Sequence, residues 1–169
     1  MFDYRHESDP LLALKESFSR HASGVSVITM VDKTGKPAGL TATSMTSLGA
    51  TPPLASFNVA SGSSSWPVLC SADYVAIHTL GEANVALAKK MSSDHTLRFL
   101  GDDWAPGPHG VPIFSAATSV LIAKIRQIVP VENNAVVIVD VIEGLIGNEQ
   151  AGLLYYKRNY VAAGAPIAN

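Results

Sequence analysis

Short β-branched runs separated by turn residues recur along the whole chain, and this spacing restricts the possible folds more than any other feature. Val25 to Val31, Leu54 to Ala60, Tyr74 to Leu80, Ser119 to Ile128 and Ala135 to Ile146 each read as a strand, and Leu153 to Tyr160 as a last strand and turn. Helical segments fall between them. Asp9-Pro10 is an N-cap followed by proline at the first helical position, and Leu11, Leu14 and Phe18 recur at helical spacing, which predicts a helix over residues 10–21. A short helix from Ser64 to Cys70, one from Glu82 to Met91 with Asn84, Leu87, Ala88 and Met91 along one side, and a helical piece from Ser92 to Phe99 are expected on similar grounds. Short antiparallel strands joined by turns, with helices inserted, point to a mainly β, closed barrel rather than a parallel sheet. The regular strand and crossover-helix alternation of a doubly wound domain is missing, as is any GxGxxG. The apolar run from Ala135 to Ile146 implies a strand buried on both faces.

One strand stands apart because its side chains are so small. The hairpin turn Asp32-Lys33-Thr34-Gly35-Lys36 leads into Gly39-Leu40-Thr41-Ala42-Thr43-Ser44-Met45-Thr46-Ser47. A strand that only has to pack favours Val, Ile, Phe or Tyr. One crowded with Gly, Ala, Ser and Thr lets another molecule approach its backbone. A second polar group follows at Ser61-Gly62-Ser63-Ser64-Ser65, and hydroxyls with bared amides in two such clusters suit an anion such as a phosphate. Ordinary turn and cap sequences have the same composition, so both readings stand at this point.

At 169 residues the chain is expected to form one domain, 1–169, with a core over about 12–160 and a tail at 161–169. Charged residues make up only 15% and hydrophobic ones 47%, an excess of apolar surface that points to a homo-oligomer. Twelve Lys and Arg against fourteen Asp and Glu leave a net charge of −2, and Lys157-Arg158 is as long as any basic run, which argues against nucleic acid. The lone Cys70 cannot form an intrachain disulfide, the N-terminus has no signal-like apolar segment, and no apolar run is long enough to span a bilayer. A cytoplasmic protein is expected. His6, His21, His78, His95 and His109 are scattered without HxH or HExxH spacing, so no metal site is expected either.

Taken in order, Ser23-Gly24-Val25-Ser26-Val27-Ile28-Thr29, Gly39-Leu40-Thr41-Ala42-Thr43-Ser44, Pro52-Pro53-Leu54, Ser61-x-x-Ser64, Gly107-x-x-Gly110-x-Pro112 and Leu153-Leu154-Tyr155-Tyr156-x-x-x-Tyr160 resemble the flavin reductase-like, FMN-binding split-barrel family. These are the reductase components of two-component flavin monooxygenases. The resemblance implies a six-stranded antiparallel Greek-key split β-barrel with flanking helices, a homodimer, and FMN or FAD held near the subunit interface. It implies NAD(P)H as hydride donor and a flavin-dependent monooxygenase as partner.

Carried over by position, Gly39, Leu40, Thr41, Ala42, Thr43 and Ser44, with Thr46 and Ser47, would line the isoalloxazine ring and reach the phosphate. Asn58, Val59 and Ala60 would offer backbone to the ring. Ser61, Ser63, Ser64 and Ser65 would hold phosphate, and Arg98, in the family's Arg-Phe pair with Phe99, would join them. His78 stands where members carry Asn near the ring, and would either tune the flavin or fill space. The family's Gly-Asp-His turn is Glu132-Asn133-Asn134 here, and Asn134 cannot carry the charge of the histidine linked with nicotinamide binding. His109, Asn134, Tyr155 and Tyr160 are the remaining candidates for nicotinamide contact, while His21 reads as a cation at a helix end. No catalytic acid or base is expected, because the hydride passes between the cofactors themselves. A non-catalytic flavin-binding or electron-transfer protein is the alternative that the same residues allow.

Overall fold

The chain enters helix α1 (Pro10–Ser19) through Asp9, whose carboxylate accepts from the amides of Leu11 (2.8 Å) and Leu12 (3.3 Å). Pro10 costs nothing there, since an N–H at the first helical position would have no partner. Strands β1 (Ser23–Gly24), β2 (Ser26–Val31) and β3 (Pro37–Ala42) follow. The turn between β2 and β3 is held by Asp32, whose Oδ1 accepts from the Thr34 amide (2.7 Å), the Thr34 hydroxyl (2.6 Å) and the Lys36 amide (3.0 Å). Next come β4 (Thr46–Ala50), β5 (Pro53–Ala60), helix α2 (Trp66–Leu69), β6 (Tyr74–Thr79), a 3₁₀ turn at Glu82–Asn84 and helix α3 (Val85–Ser92). There follow β7 (Trp104–Pro106), a second 3₁₀ turn at Pro108–Gly110, β8 (Pro112–Phe114), β9 (Ser119–Val131), β10 (Asn134–Ile146), β11 (Leu153–Tyr156) and β12 (Asn159–Ala162). This computed structural model describes residues 3–167; residues 1, 2, 168 and 169, at the two ends of the expected domain, lie outside the described residues.

Seven strands form the main sheet in the order β3-β2-β6-β9-β10-β5-β4, every pair antiparallel. Its two edges, β3 and β4, are neighbours in sequence. The sheet therefore curls until residues 43–45 join its edges covalently, with no ladder between them, which makes the barrel split. The single small-residue strand expected from Gly39 to Ser47 is two strands. Its first half pairs with β2 and its second with β5, on opposite sides of the split, so the backbone must bend between them. Counted as one bent strand, β3 and β4 bring the barrel to the expected six. A side sheet, β1-β11-β12, and the β7–β8 hairpin pack outside it.

The core has two layers. Ile28, Met30, Phe57, Leu69, Ile77 and Val137 fill the inside of the curl. On its outer face Val27, Ala76 and Ile122 pack against Leu87, Ala88 and Met91 of α3 and against Val111 and Phe114. Strands β2 and β6 are thus buried on both faces, a position the apolar run assigned to β10. β10 instead alternates as far as Val139, is half-buried at Asp140 and Val141, and is exposed from Ile142 on, beyond the end of its pairing with β5 at Asp140. Ile142, Leu145 and Ile146 are 50%, 41% and 83% exposed. The apolar face of α1 is uncovered too, with Leu11, Leu14 and Phe18 more than half exposed.

Two further expectations are corrected. The helical piece from Ser92 to Phe99 is a run of turns, in which Asp94 Oδ1 captures the Thr96 amide and hydroxyl (both 2.9 Å) and so competes with helical pairing. His78 belongs to the core. It lies opposite Val27 with no exposed surface, its Nδ1 3.0 Å from the Val27 carbonyl oxygen and its Nε2 3.1 Å from the Phe114 amide. A carbonyl can only accept and an amide only donate, so the ring is neutral with its proton on Nδ1, and no atom remains for a flavin.

Burial pushes the pKa of His78 down to about 4, from an ordinary 6.5. Below pH 6.5 the unfolded chain binds a proton that the folded chain refuses until about pH 4, so stability falls as pH falls through this window, by up to about 3 kcal/mol. Urea unfolding at pH 7 and pH 4.5 should show a larger acid loss for the wild type than for His78→Asn. Taking the difference removes the carboxylates Glu16, Asp32, Asp94 and Asp140, whose lowered pKa values also make the fold acid-sensitive. Equal losses in both proteins would contradict the assignment.

Candidate functional site

As the edge of the sheet, β3 leaves backbone groups without a ladder partner, and the carbonyl of Gly39 finds two donors elsewhere. Ser65 Oγ donates to it at 2.7 Å and Arg98 Nη1 at 2.6 Å. The same Nη1 lies 3.3 Å from both Ser64 Oγ and Ser65 Oγ, and Nε and Nη2 are bound to the Ser93 carbonyl (3.1 and 2.8 Å). Arg98 is thereby fixed in place. Beside it opens a hollow of about 450 Å³, lined also by Lys36, His95, Thr96 and Phe99. Asp32 is its one carboxylate, and the turn described above already occupies it. Burial pushes Arg98 below its ordinary pKa and the Asp94 charge pulls the other way, but a guanidinium stays charged. Two cations and the Ser64 hydroxyl make this a place for an anion, while the Ser65 hydroxyl is taken up by the Gly39 carbonyl.

A second hollow, of about 490 Å³, lies along the split. Thr43, Ser44, Met45, Thr46 and Asn58 form one wall and Phe18, His21, Ala22, Ser23 and Gly24 the other. Ser44 bridges the split, its Oγ accepting from the Asn58 amide at 2.9 Å. His21 is the only ionisable side chain in the lining. Thr43 lies four positions beyond Gly39, just past the end of β3, so the residues that mark the two hollows are roughly 13 Å apart along the chain.

The small-residue stretch therefore divides by role. A Cβ on Gly39 would meet Met91 Cε at 2.6 Å, Ile28 O at 2.8 Å and Phe99 Cζ at 3.2 Å, so glycine here admits core side chains. Thr41 Oγ1 donates to the Ala88 carbonyl (2.8 Å), Ala42 is buried and Leu40 is half-buried. Thr43, Ser44 and Thr46 alone of the stretch border the second hollow beside Met45, with Ser47 next along β4. Val59 is a core residue, and Ala60 pairs with Asn134. Ser61 donates through its amide and its hydroxyl to Asn133 O (2.9 and 3.1 Å), and Ser63 Oγ accepts from the Ser65 amide (3.3 Å).

His109, Tyr155 and Tyr160 line neither hollow. His109 has φ 56° and lies flat on Tyr74, ring centroids 3.7 Å apart, beside a separate hollow of about 110 Å³. Tyr155 pairs with Ser23 across the side sheet and meets Tyr160 edge-on at 5.4 Å. Phe18, His21, Ser23 and Gly24 were not foreseen as lining residues. Ser23-Gly24 opens a family motif with no ligand role attached, and His21, expected as a cation at the end of α1, follows Arg20, which holds the cap position. Among the described residues no three His, Cys, Asp or Glu side chains gather as a metal site.

Comparison with known proteins adds an independent line. Residues 18–164 match the model of the flavin reductase like domain. An NADH:FMN oxidoreductase from Rhodococcus qingshengii is 36% identical over 151 residues, covering 86% of this chain and 78% of its own length. A stachydrine N-demethylase reductase subunit from Rhizobium meliloti is 31% identical over 150 residues, 89% of this chain and 65% of that one. The crystal structure of a flavin reductase domain protein from Arthrobacter superposes with a TM-score of 0.89 at 42% identity, covering 94% of this chain and 98% of the other.

If Gly39 is glycine for the sake of packing, Gly39→Ala should lower stability by about 1–3 kcal/mol in urea unfolding whether or not any ligand is present. A variant as stable as the wild type that had lost only ligand affinity would return this position to ligand contact.

Proposed function

We propose that this chain, which belongs to the flavin reductase like domain family, is an NAD(P)H-dependent flavin reductase that takes FMN. The observation that carries the reading is the pair of hollows along β3, one cationic and rich in hydroxyls, the other with a single ionisable side chain, at a separation suited to a ligand with a phosphate at one end and a polar ring at the other. The relative named NADH:FMN oxidoreductase supports the same choice of flavin and donor.

Arg98 and Ser64, with Lys36 nearby, would hold the phosphate; the Ser65 hydroxyl gives its one hydrogen to the Gly39 carbonyl and serves instead to position Arg98, which is fixed before any ligand arrives. Thr43, Ser44, Thr46 and Asn58 would flank the ring. When bound, flavin and dihydronicotinamide supply the hydride transfer between their own rings. The chain's part is positioning: it presents hydroxyl and amide groups, holds the ring edge against the split and admits the donor beside it. No carboxylate lines the second hollow.

The rest of the reading concerns assembly. The chain acts as one domain and pairs with a second copy through its uncovered apolar surfaces, Leu11, Leu14 and Phe18 on α1 and Ile142, Leu145 and Ile146 on β10. It hands reduced flavin to a partner oxygenase, as the relative named as the reductase subunit of a demethylase suggests. Among the described residues no helix is long and apolar enough to cross a membrane, which agrees with a cytoplasmic setting.

Two measurements test the reading. Anaerobic addition of NADH, then NADPH, to the protein with excess FMN should bleach the flavin catalytically; tight FMN binding without bleaching would make the chain a flavin-binding or electron-transfer protein, as Asn134 in place of the family's histidine would then explain. Arg98→Gln should weaken FMN about 10- to 100-fold, the equivalent of one charge-assisted contact, while leaving the affinity for riboflavin, which lacks the phosphate, unchanged. Equal losses for FMN and riboflavin would remove Arg98 from the phosphate site.

A further inference from the structure

Helix α1 and the β11–β12 hairpin enclose a third hollow, of about 320 Å³, lined by Leu12, Lys15, Glu16, Ser19, Lys157 and Arg158. Three cations face one carboxylate, and that carboxylate is engaged elsewhere: Glu16 Oε1 accepts from Arg5 Nη2 at 2.6 Å and Oε2 lies 3.6 Å from Arg20 Nη2. Among the described residues, Lys15, Lys157 and Arg158 have no carboxylate oxygen within 4.0 Å. In a chain of net charge −2 this is a local reversal of sign.

The backbone makes the cluster more pointed. Tyr156 pairs with Asn159, which leaves Lys157 and Arg158 as a two-residue turn with φ of 47° and 64°. Both central residues are in the left-handed region, the type I′ geometry that Asn-Gly adopts with least strain. Two long cationic side chains occupy it instead, at a cost in backbone strain that the hairpin itself does not require. The turn is also tied down, because the Lys157 amide donates to the Ser19 carbonyl at 3.0 Å and so holds the two cations against the helix that carries Lys15.

The neighbour of this hollow is the split. Ser23, in the wall of the second hollow, pairs with Tyr155, and the turn begins two residues further on, roughly 7 Å along the strand. We propose that the hollow between Lys15 and the Lys157-Arg158 turn binds phosphate groups of the nicotinamide dinucleotide. This rests on the reading of the chain as an NAD(P)H-dependent reductase. The chemistry recognised is phosphate, from either the pyrophosphate common to NADH and NADPH or the 2′-phosphate of NADPH.

The test replaces the turn with the sequence that suits its backbone. Lys157→Asn with Arg158→Gly should raise the melting temperature or leave it unchanged, so lost binding cannot be laid to unfolding; Lys15→Gln removes the third cation without touching the turn. With saturating FMN, both variants should raise the donor KM about tenfold, with FMN affinity unchanged, and the dependence of KM on salt should flatten. A rise for NADPH alone assigns the 2′-phosphate, and a rise for both donors assigns the pyrophosphate. KM values within twofold of wild type for both donors would overturn the proposal. Calorimetric titration with ADP and 2′,5′-ADP separates it from the reductase reading. If the wild type oxidises neither donor, that reading fails, yet binding of either nucleotide that is lost in the turn variant still sustains a phosphate site, whereas no binding overturns it.

Discussion

The carbonyl oxygen of Gly39 is the point on which the arrangement of the molecule turns. It sits on an edge strand, where no ladder partner exists, and within a crowded core that has no room for a side chain. An unpaired polar group in such a place is costly, so the chain brings Ser65 and Arg98 to it from two distant segments. That single acceptor draws the N-terminus of α2 and the loop after α3 onto β3. A cationic, hydroxyl-rich hollow is the by-product of closing the edge. The site and the stability of the barrel are therefore not separable here, and the guanidinium that would meet a phosphate is already held by carbonyls on either side of it.

The split follows the same logic at the other end of the strand. Where the sheet cannot close by a ladder, Ser44 closes it with a side chain, accepting the amide of Asn58. Side-chain closure leaves a gap that ladder closure would have filled, and the gap is the second hollow. Its walls carry hydroxyls, the Asn58 amide, the apolar Phe18 and Met45 side chains and one imidazole, whereas charge lies in the hollows around Arg98 and around Lys157 and Arg158. A chain with only 15% charged residues has placed several of its cations where two of its openings lie.

What could be read in advance was what depends on near neighbours. The Asp9-Pro10 cap, the Asp32 turn, the β-branched runs and the apolar side of α3 are each decided within a few residues, and each formed as expected. The order of short motifs carried the split barrel and the segments around it. What could not be read depends on partners remote in sequence. Gly39 is glycine because of Met91 and Phe99, and Thr41 is spent on Ala88, so a stretch that looked like a ligand-facing strand is half core. His78 is neutral and buried because the amide of Phe114, 36 positions on, supplies its second hydrogen bond. The bend between β3 and β4 has no local signal either, since both halves have strand-like composition and only the choice of partner, β2 or β5, divides them.

Helix α1 shows how a correct local reading can still miss the environment. Its apolar spacing is as clear as that of α3, yet Leu11, Leu14 and Phe18 face outward and no residue of α1 is buried. The spacing encodes a face to be covered, and one copy of the chain does not cover it. Phe18 also lines the second hollow, while Leu12, Lys15, Glu16 and Ser19 line the third. A second copy packed on α1, as proposed above, would lie beside both openings and would shape them as it buried the helix. Burying three such side chains contributes several kcal/mol, on the order of 2 kcal/mol for each one that is fully covered, enough to order the helix and the walls it provides. Under the proposed pairing, assembly and access to the split would both be carried by one short helix, whose apolar side chains are left uncovered in the isolated chain.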